Sequence, residues 1–220
     1  MSGKTGGKND ATRLIGNAYI QTETMEIKAD KITLTGENFR FITAEGKVTG
    51  TNTSSQIDFT CEKMRYDRNT KIATLEDNVH MIDSANDVTS DAQIIEYNQN
   101  TDIATMHINV KLIQKDNICN AAYAVYNKKT KMLELSGNPR ITQGDDTFRA
   151  QEIQLNLDTN EITLDGRVSG NITDNSKSEK KTQDQDSSNT QAEAEKTEPP
   201  KQEEQNGSEN DKSVQEKKEQ

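Results

Sequence analysis

Lys71-Ile-Ala-Thr-Leu-Glu-Asp-Asn-Val-His-Met81 is a phrase that recurs along the chain. Related forms stand at Leu14-Ile-Gly-Asn-Ala-Tyr-Ile20, Ala44-Glu-Gly-Lys-Val48, Met106-His-Ile-Asn-Val-Lys-Leu112, Leu135-Ser-Gly-Asn-Pro-Arg-Ile141 and Leu164-Asp-Gly-Arg-Val168. The shared pattern is Leu-x-Gly-Asn-Val-x-Ile. Its third position falls on Gly16, Gly46, Asp77, Ile108, Gly137 and Gly166, at steps of 29 to 31 residues. A period this steady marks a repeat architecture, in which one supersecondary unit stacks on the next.

Upstream of each phrase is a second apolar run: Met64-Arg-Tyr66, Ile95-Glu-Tyr97, Ala124-Val-Tyr126 and Ile153-Gln-Leu155. Between run and phrase lie Asp67-Arg-Asn-Thr-Lys71, Asn98-Gln-Asn-Thr-Asp102, Asn127-Lys-Lys-Thr-Lys131 and Asn156-Leu-Asp-Thr-Asn160. Asx and Thr side chains bond to nearby backbone in turns, so the unit reads strand, turn, strand. Within the phrase, apolar residues alternate with Thr, Glu, Asn, His, Lys and Ser. The inward parity holds Ala73, Leu75, Val79 and Met81, then Ala104, Met106, Ile108, Val110 and Leu112, then Leu133, Leu135, Pro139 and Ile141, then Ile162, Leu164 and Val168. A period of two buries one face of each strand. Glycine inside a strand marks a bend, a bulge or a close approach, and here it is expected to bend the strand so that the sheet wraps. The fold class is all-β and repeat-built, with about six strands in each of two stacked sheets.

Composition sets the domain limits. Residues 171–220 contain no aromatic residue and are rich in Gln, Glu, Lys, Ser and Asn, too polar to offset the entropy of ordering. They read as a disordered charged tail, residues 1–10 as a disordered N-terminus, and 11–170 as the β domain. The net charge of −10 is divided about equally between tail and body, which argues against a nucleic-acid partner or a basic membrane-binding patch. Aromatic residues make up 4% with no Trp, too few for a stacking platform. No apolar run has the length of a membrane-spanning helix, and the first ten residues hold no export signal. The phrase at 14–20 is nevertheless the second half of a unit whose first strand falls near residues 1–5. A missing upstream strand is therefore expected, lost with a trimmed export signal or a misplaced start.

Nothing in the sequence assembles a catalytic or metal site. His80 and His107 occupy outward positions without companion ligands, and the carboxylates are spread over the polar parity. No cofactor motif is present. Cys61 and Cys119 read as half-buried free thiols; a disulfide between them requires Cα atoms about 5.5 Å apart. The apolar face allows two functions. Its side chains fill the interior and the chain is a scaffold, or the two sheets leave a trough for lipid chains. Mid-sized aliphatics, Met and small residues suit a trough.

Arg13-Leu-Ile-Gly-Asn-Ala-Tyr-Ile20, the spacer Gln21-Thr-Glu-Thr24 and Met25-Glu-Ile-Lys-Ala-Asp-Lys-Ile-Thr-Leu34 resemble the signature of the LptA/OstA-like family of lipopolysaccharide-transport proteins. Ser90-Asp-Ala-Gln-Ile94 and Arg149-Ala-Gln-Glu-Ile153 echo it, and the resemblance runs from about Leu14 to Val168. It implies an open-ended antiparallel β-jellyroll in the periplasm, without enzymatic activity, that carries a glycolipid or other acylated lipid. It also implies partners: other jellyrolls of a transport bridge, and copies of the chain itself end to end. On this reading the lipid-binding interior face comprises Leu75, Val79, Met81, Met106, Ile108, Val110, Leu133, Leu135, Ile141, Ile162 and Leu164. Asp77, Ile108 and Pro139 depart from the family phrase.

Overall fold

The computed structural model describes residues 11–173, so both expected disordered ends lie outside the described residues except for 171–173. Eight long strands follow one another as an antiparallel meander: β1 (Thr12–Gln21), β2 (Met25–Thr35), β3 (Phe41–Asn52), β4 (Ile57–Asp67), β5 (Ile72–Asp83), β6 (Val88–Asn98), β7 (Ile103–Gln114) and β8 (Asn117–Asn127). Beyond them the strands are cut in two: β9 (Met132–Ser136), β10 (Arg140–Gln143), β11 (Asp146–Arg149), β12 (Glu152–Asn156), β13 (Ile162–Asp165) and β14 (Ser169–Asn171). β9, β12 and β13 extend the ladder from one half of β8, and β10, β11 and β14 from the other. The product is one hydrogen-bonded sheet folded lengthwise into two layers, the antiparallel jellyroll that the family resemblance implied. The first layer holds 12–15 of β1 and 123–127 of β8; the second holds 18–21 and 117–121. Because every long strand serves both layers, each layer has eleven segments, not six.

The fold line runs through the phrase. In β1, β3, β5 and β7 two residues oppose one on the neighbouring even strand, the count that defines a bulge. Those two residues are both left-handed: Gly16 and Asn17 (φ 83° and 47°), Gly46 and Lys47 (78° and 48°), Asp77 and Asn78 (65° and 52°), Ile108 and Asn109 (65° and 55°). The pairs Gly137–Asn138 and Gly166–Arg167 repeat the conformation where later strands break. Space adds a second demand for glycine. A Cβ at Gly46 would lie 2.6 Å from the Asp30 carboxylate, one at Gly137 2.7 Å from the Ala122 methyl, and one at Gly166 2.1 Å from Gln151 Oε1. The facing residues Asp30, Ala122 and Gln151 each follow an alanine, as in Ala29-Asp30 and its echoes. The phrase and the signature are thus the two sides of one corner. Pro139, buried just past the corner, lacks an N–H for the ladder, which fits the break between β9 and β10.

Both layers face a single core. Ile27, Met64, Leu75, Met81, Ile95, Met106, Leu112, Leu133, Leu135 and Ile141 are fully or almost fully buried in one cluster. Each such side chain contributes about 1.5–3 kcal/mol by leaving water. Three expectations need correction. Ile108 shares the inward parity on paper but is 53% exposed, because it stands on the corner itself and its side chain projects away from the core. Val168, next to the last corner, is exposed as well. The folded body also passes residue 170: Asn171 closes β14, and the Thr173 N–H donates to Asp146 Oδ1 at 2.8 Å. Cys61 and Cys119 are free and buried, four strands apart in the second layer, roughly 19 Å at strand spacing and too far for a disulfide.

A left-handed conformation costs a β-branched residue about 1–2 kcal/mol, and the Ile108 side chain gains little burial in return. Ile108→Asn should therefore raise stability by about 1 kcal/mol, read as a higher urea midpoint at unchanged slope. A lower midpoint would mean that the isoleucine packs. Burial pushes both cysteine thiols up to about 12. Modification by a disulfide reagent at pH 8 should be slower in the folded protein than in urea by on the order of a thousandfold.

Candidate functional site

The structure brings most of the expected interior face together. Leu75, Val79 and Met81 on β5, Met106 and Val110 on β7, Leu133 and Leu135 on β9, and Ile141 on β10 are buried between the layers. Ile162 and Leu164 on β13 are half-buried and pack against the same cluster at the C-terminal end. Ile108 is outside it. Through the middle of the stack these side chains fill the interlayer space themselves.

At the N-terminal end the layers part. A crevice of about 480 Å³ opens between them, within the range of roughly 300–1,000 Å³ usual for ligand cavities. Ile20 enters from the second layer, and Leu34, Ile42 and Tyr66 from the first. Phe39, in the 3₁₀ turn Glu37–Phe39, completes the apolar wall. The β1–β2 turn, Thr22 to Thr24, forms one lip, and Arg68 and Lys71 from the β4–β5 turn form the other. The turn is held in place by Arg40, whose Nε and Nη2 donate to Asp67 Oδ1 and Oδ2 at 2.9 and 2.6 Å. That pairing holds the Asp67 carboxyl well below the usual carboxylate range. Asp67 Oδ1 also accepts the Asn69 N–H at 2.9 Å. Arg68 Nη1 donates to the Asn38 carbonyl at 2.8 Å, so its partner is a neutral oxygen. Arg68 and Lys71 form no ion pair among the described residues, and Glu23 is the one carboxylate in the lining. An apolar wall with a polar, cationic lip suits one end of an amphiphile.

These lining residues escaped the sequence reading for a simple reason. Ile20 ends the phrase of the first unit and Leu34 the first run of the next, ahead of Ala73, where the inward parity is first assigned. The same alternation runs through both strands.

The outer faces carry no assembled chemistry. His80 Nδ1 and Asp91 Oδ1 are 2.7 Å apart on the second layer, with both side chains nearly half exposed. His107 meets Tyr123 edge to face at 5.0 Å between centroids on the first. Among the described residues no three His, Cys, Asp or Glu side chains gather as a metal site, and no helix is long and apolar enough to cross a membrane.

The sequence profile of OstA-like proteins matches residues 2–151. Comparison with curated proteins gives no match. Among solved structures, the chain is similar to LptH of Pseudomonas aeruginosa, described as the LptA-homologous periplasmic component of the conserved lipopolysaccharide transport device. The TM-score is 0.51 at 11% identity, over 55% of this chain and 97% of that one, which is a likeness of fold. With the profile spanning more than half its length, and with both halves of the corner motif in place, the chain belongs to the OstA-like family.

Proposed function

We propose that this protein is a non-enzymatic lipid-transfer module of lipopolysaccharide transport, acting in the periplasm and holding the acyl part of a glycolipid between its two layers. The observation that carries this reading is the apolar crevice at the N-terminal end, continuous with the inward face and bordered by Arg68 and Lys71. Each methylene transferred there from water contributes about 0.8 kcal/mol, so a long acyl chain needs no finely placed polar contact. The inward residues Leu75, Val79, Met81, Met106, Val110, Leu133, Leu135, Ile141, Ile162 and Leu164 are the surface over which such chains extend. A second reading, a scaffold with a self-filled core, is favoured by the complete burial of most of that set. Photo-crosslinking residues decide between them. At Ile20, Leu34 and Ile42 they should capture lipid in protein purified from cells, whereas at the outward Lys28 and Thr49 they should not. Equal capture, or none with no lipid in the mass spectrum of an extract, would leave the scaffold.

The partners of such a module are other jellyrolls, or copies of itself, added at the ends. β1 is one end of the ladder; β13 and β14 are the other. Among the described residues both ends present unpaired backbone and exposed apolar side chains, Ile15 and Tyr19 at one, Val168 and Ile172 at the other. Two unlike edges join head to tail and propagate instead of closing. With eleven strands at about 4.8 Å, one body spans roughly 48 Å, and addition would lengthen it stepwise. Sedimentation should show concentration-dependent growth that Ile15→Lys with Tyr19→Lys abolishes. A monomer at every concentration would point to a shuttle.

A further inference from the structure

The two sides of the folded sheet are built differently. On the corner side the layers are joined by the strands themselves. On the opposite side they meet only as two rows of hairpin turns. Backbone bonds link neighbouring turns into a rail along each row, without a break in the first layer and with a gap between the β5–β6 and β7–β8 turns in the second. In the first layer the N–H groups of Arg68, Gln99, Lys128 and Leu157 donate to the carbonyls of Arg40, Lys71, Asp102 and Lys131 at 2.8–3.0 Å. In the second, Thr53 and Ser84 donate to Thr24 and Gln56 at 2.9 and 3.0 Å. Among the described residues no backbone bond joins one rail to the other. Side chains do. Tyr126 Oη, at the end of β8 in the first layer, donates to Asp83 Oδ2, at the end of β5 in the second, at 2.9 Å. Lys128 pairs with Asp83 Oδ1, and Asn86 Nδ2 donates to Oδ2 at 2.8 Å. Asp83 is completely buried. Farther along, Gln114 Nε2 reaches the Leu157 carbonyl at 3.1 Å, and Asn117 Nδ2 reaches Asn160 Oδ1 at 3.0 Å. Gln114 Oε1 and Asn117 Oδ1 are buried without a hydrogen-bond partner, so this part of the row is poorly satisfied.

Tyr66, Tyr97 and Tyr126 occupy equivalent places in successive units, yet their bonds differ. Tyr66 donates to Gln99 Oε1 at 3.1 Å and Tyr97 to Asp102 Oδ1 at 2.7 Å, both within the first layer. Of the three, Tyr126 alone donates to a carboxylate of the opposite layer. The crevice lies at Tyr66, and the layers are shut at Tyr126. We infer that Asp83, Tyr126 and Lys128 form a clasp holding the open side of the sheet shut, whose release lets an acyl chain laid in the N-terminal crevice extend into the interlayer core. The acyl ligand rests on the lipid-transfer reading above; the clasp rests on the bonding pattern.

The sign of two variants tests this. Tyr126→Phe with Lys128→Met removes both cross-layer partners and leaves Asp83 buried and underpaired. Asp83→Leu with Tyr126→Phe and Lys128→Met makes the contact apolar, which for buried ion pairs is often neutral or stabilising. The single change Tyr126→Phe serves if the double variant fails to fold. The full chain is followed by hydrogen exchange without lipid, and by the rate of fluorescence gain with cis-parinaric acid. The broken clasp should exchange faster by about tenfold at 79–83 and 124–128, beyond any change in urea midpoint, and take up the probe correspondingly faster. The apolar variant should do neither and should load more slowly than the native chain. If exchange separates the variants but no form binds the probe, the clasp stands and the lipid reading fails. If exchange at these segments follows the midpoint alone in every variant, the clasp is overturned whether or not the probe binds.

Discussion

The structure depends on the corner in the middle of every second long strand. Two successive left-handed residues turn the chain from one layer into the other, and at three of the six corners the first of them gives up its side chain to the residue that faces it. At Gly46 the space belongs to Asp30, at Gly137 to Ala122, at Gly166 to Gln151. The second residue is Asn in four of six units, the non-glycine side chain most tolerant of that backbone, with Lys47 and Arg167 in the others. Because two residues oppose one, the corner is also a register device. Pairing resumes one step out of phase, so the bulged strands keep their inward parity across the corner while the facing strands change theirs, as from Cys61 to Met64.

That corner explains why the molecule is asymmetric about its core. A sheet bent along one line has covalent continuity there and can close elsewhere only through its turns. Among the described residues the turns do not extend the ladder across the gap; their backbone bonds to neighbouring turns run along one layer or the other. Polar side chains at strand ends are what remains, and Asn52, Asp83, Gln114 and Asn117 are accordingly the polar residues buried at those ends. Their placement follows from the architecture and does not require a special site to account for it. What does need an account is the uneven bonding among them: a charged, fully engaged carboxylate at Asp83 beside amides with buried atoms left over.

Much of this was legible in the sequence, and the failures share a cause. The 29–31-residue period, the turns and the alternation give the antiparallel repeat and most of the core, because side-chain parity is fixed by backbone geometry. Counting parity straight through the corner misplaced Ile108, since a bulge breaks the arithmetic at the residue where the phrase is most conspicuous. Assigning each strand to one sheet halved the number of segments per layer for the same reason: a bend that carries one strand through both layers leaves no mark in hydrophobic periodicity. The crevice was hidden by a different limit. Alternation shows which residues point inward, but whether the inward face is filled depends on how far apart the layers stand. That separation is set by contacts such as Tyr126 with Asp83, made between residues 43 positions apart.

A filled core and a lipid-carrying core need not be opposed on energetic grounds. An acyl chain sliding between Met106, Leu133 and their neighbours, as proposed, would replace side-chain contacts with methylene contacts of the same kind. The apolar area kept from water changes little when the layers separate around it. Methionine and the mid-sized aliphatics that dominate this face repack readily around a new neighbour. The terms that do not cancel lie elsewhere, in bending the corners slightly and in exposing or re-pairing the polar row on the far side. The corners are two-residue units whose backbone already occupies an uncommon region, so a modest change in their opening angle is spread over many residues. The polar row is concentrated at a few bonds. On the proposed lipid-transfer reading, control over the interior would rest with those few side chains, and the apolar lining that dominates the sequence pattern would decide only what kind of molecule is admitted.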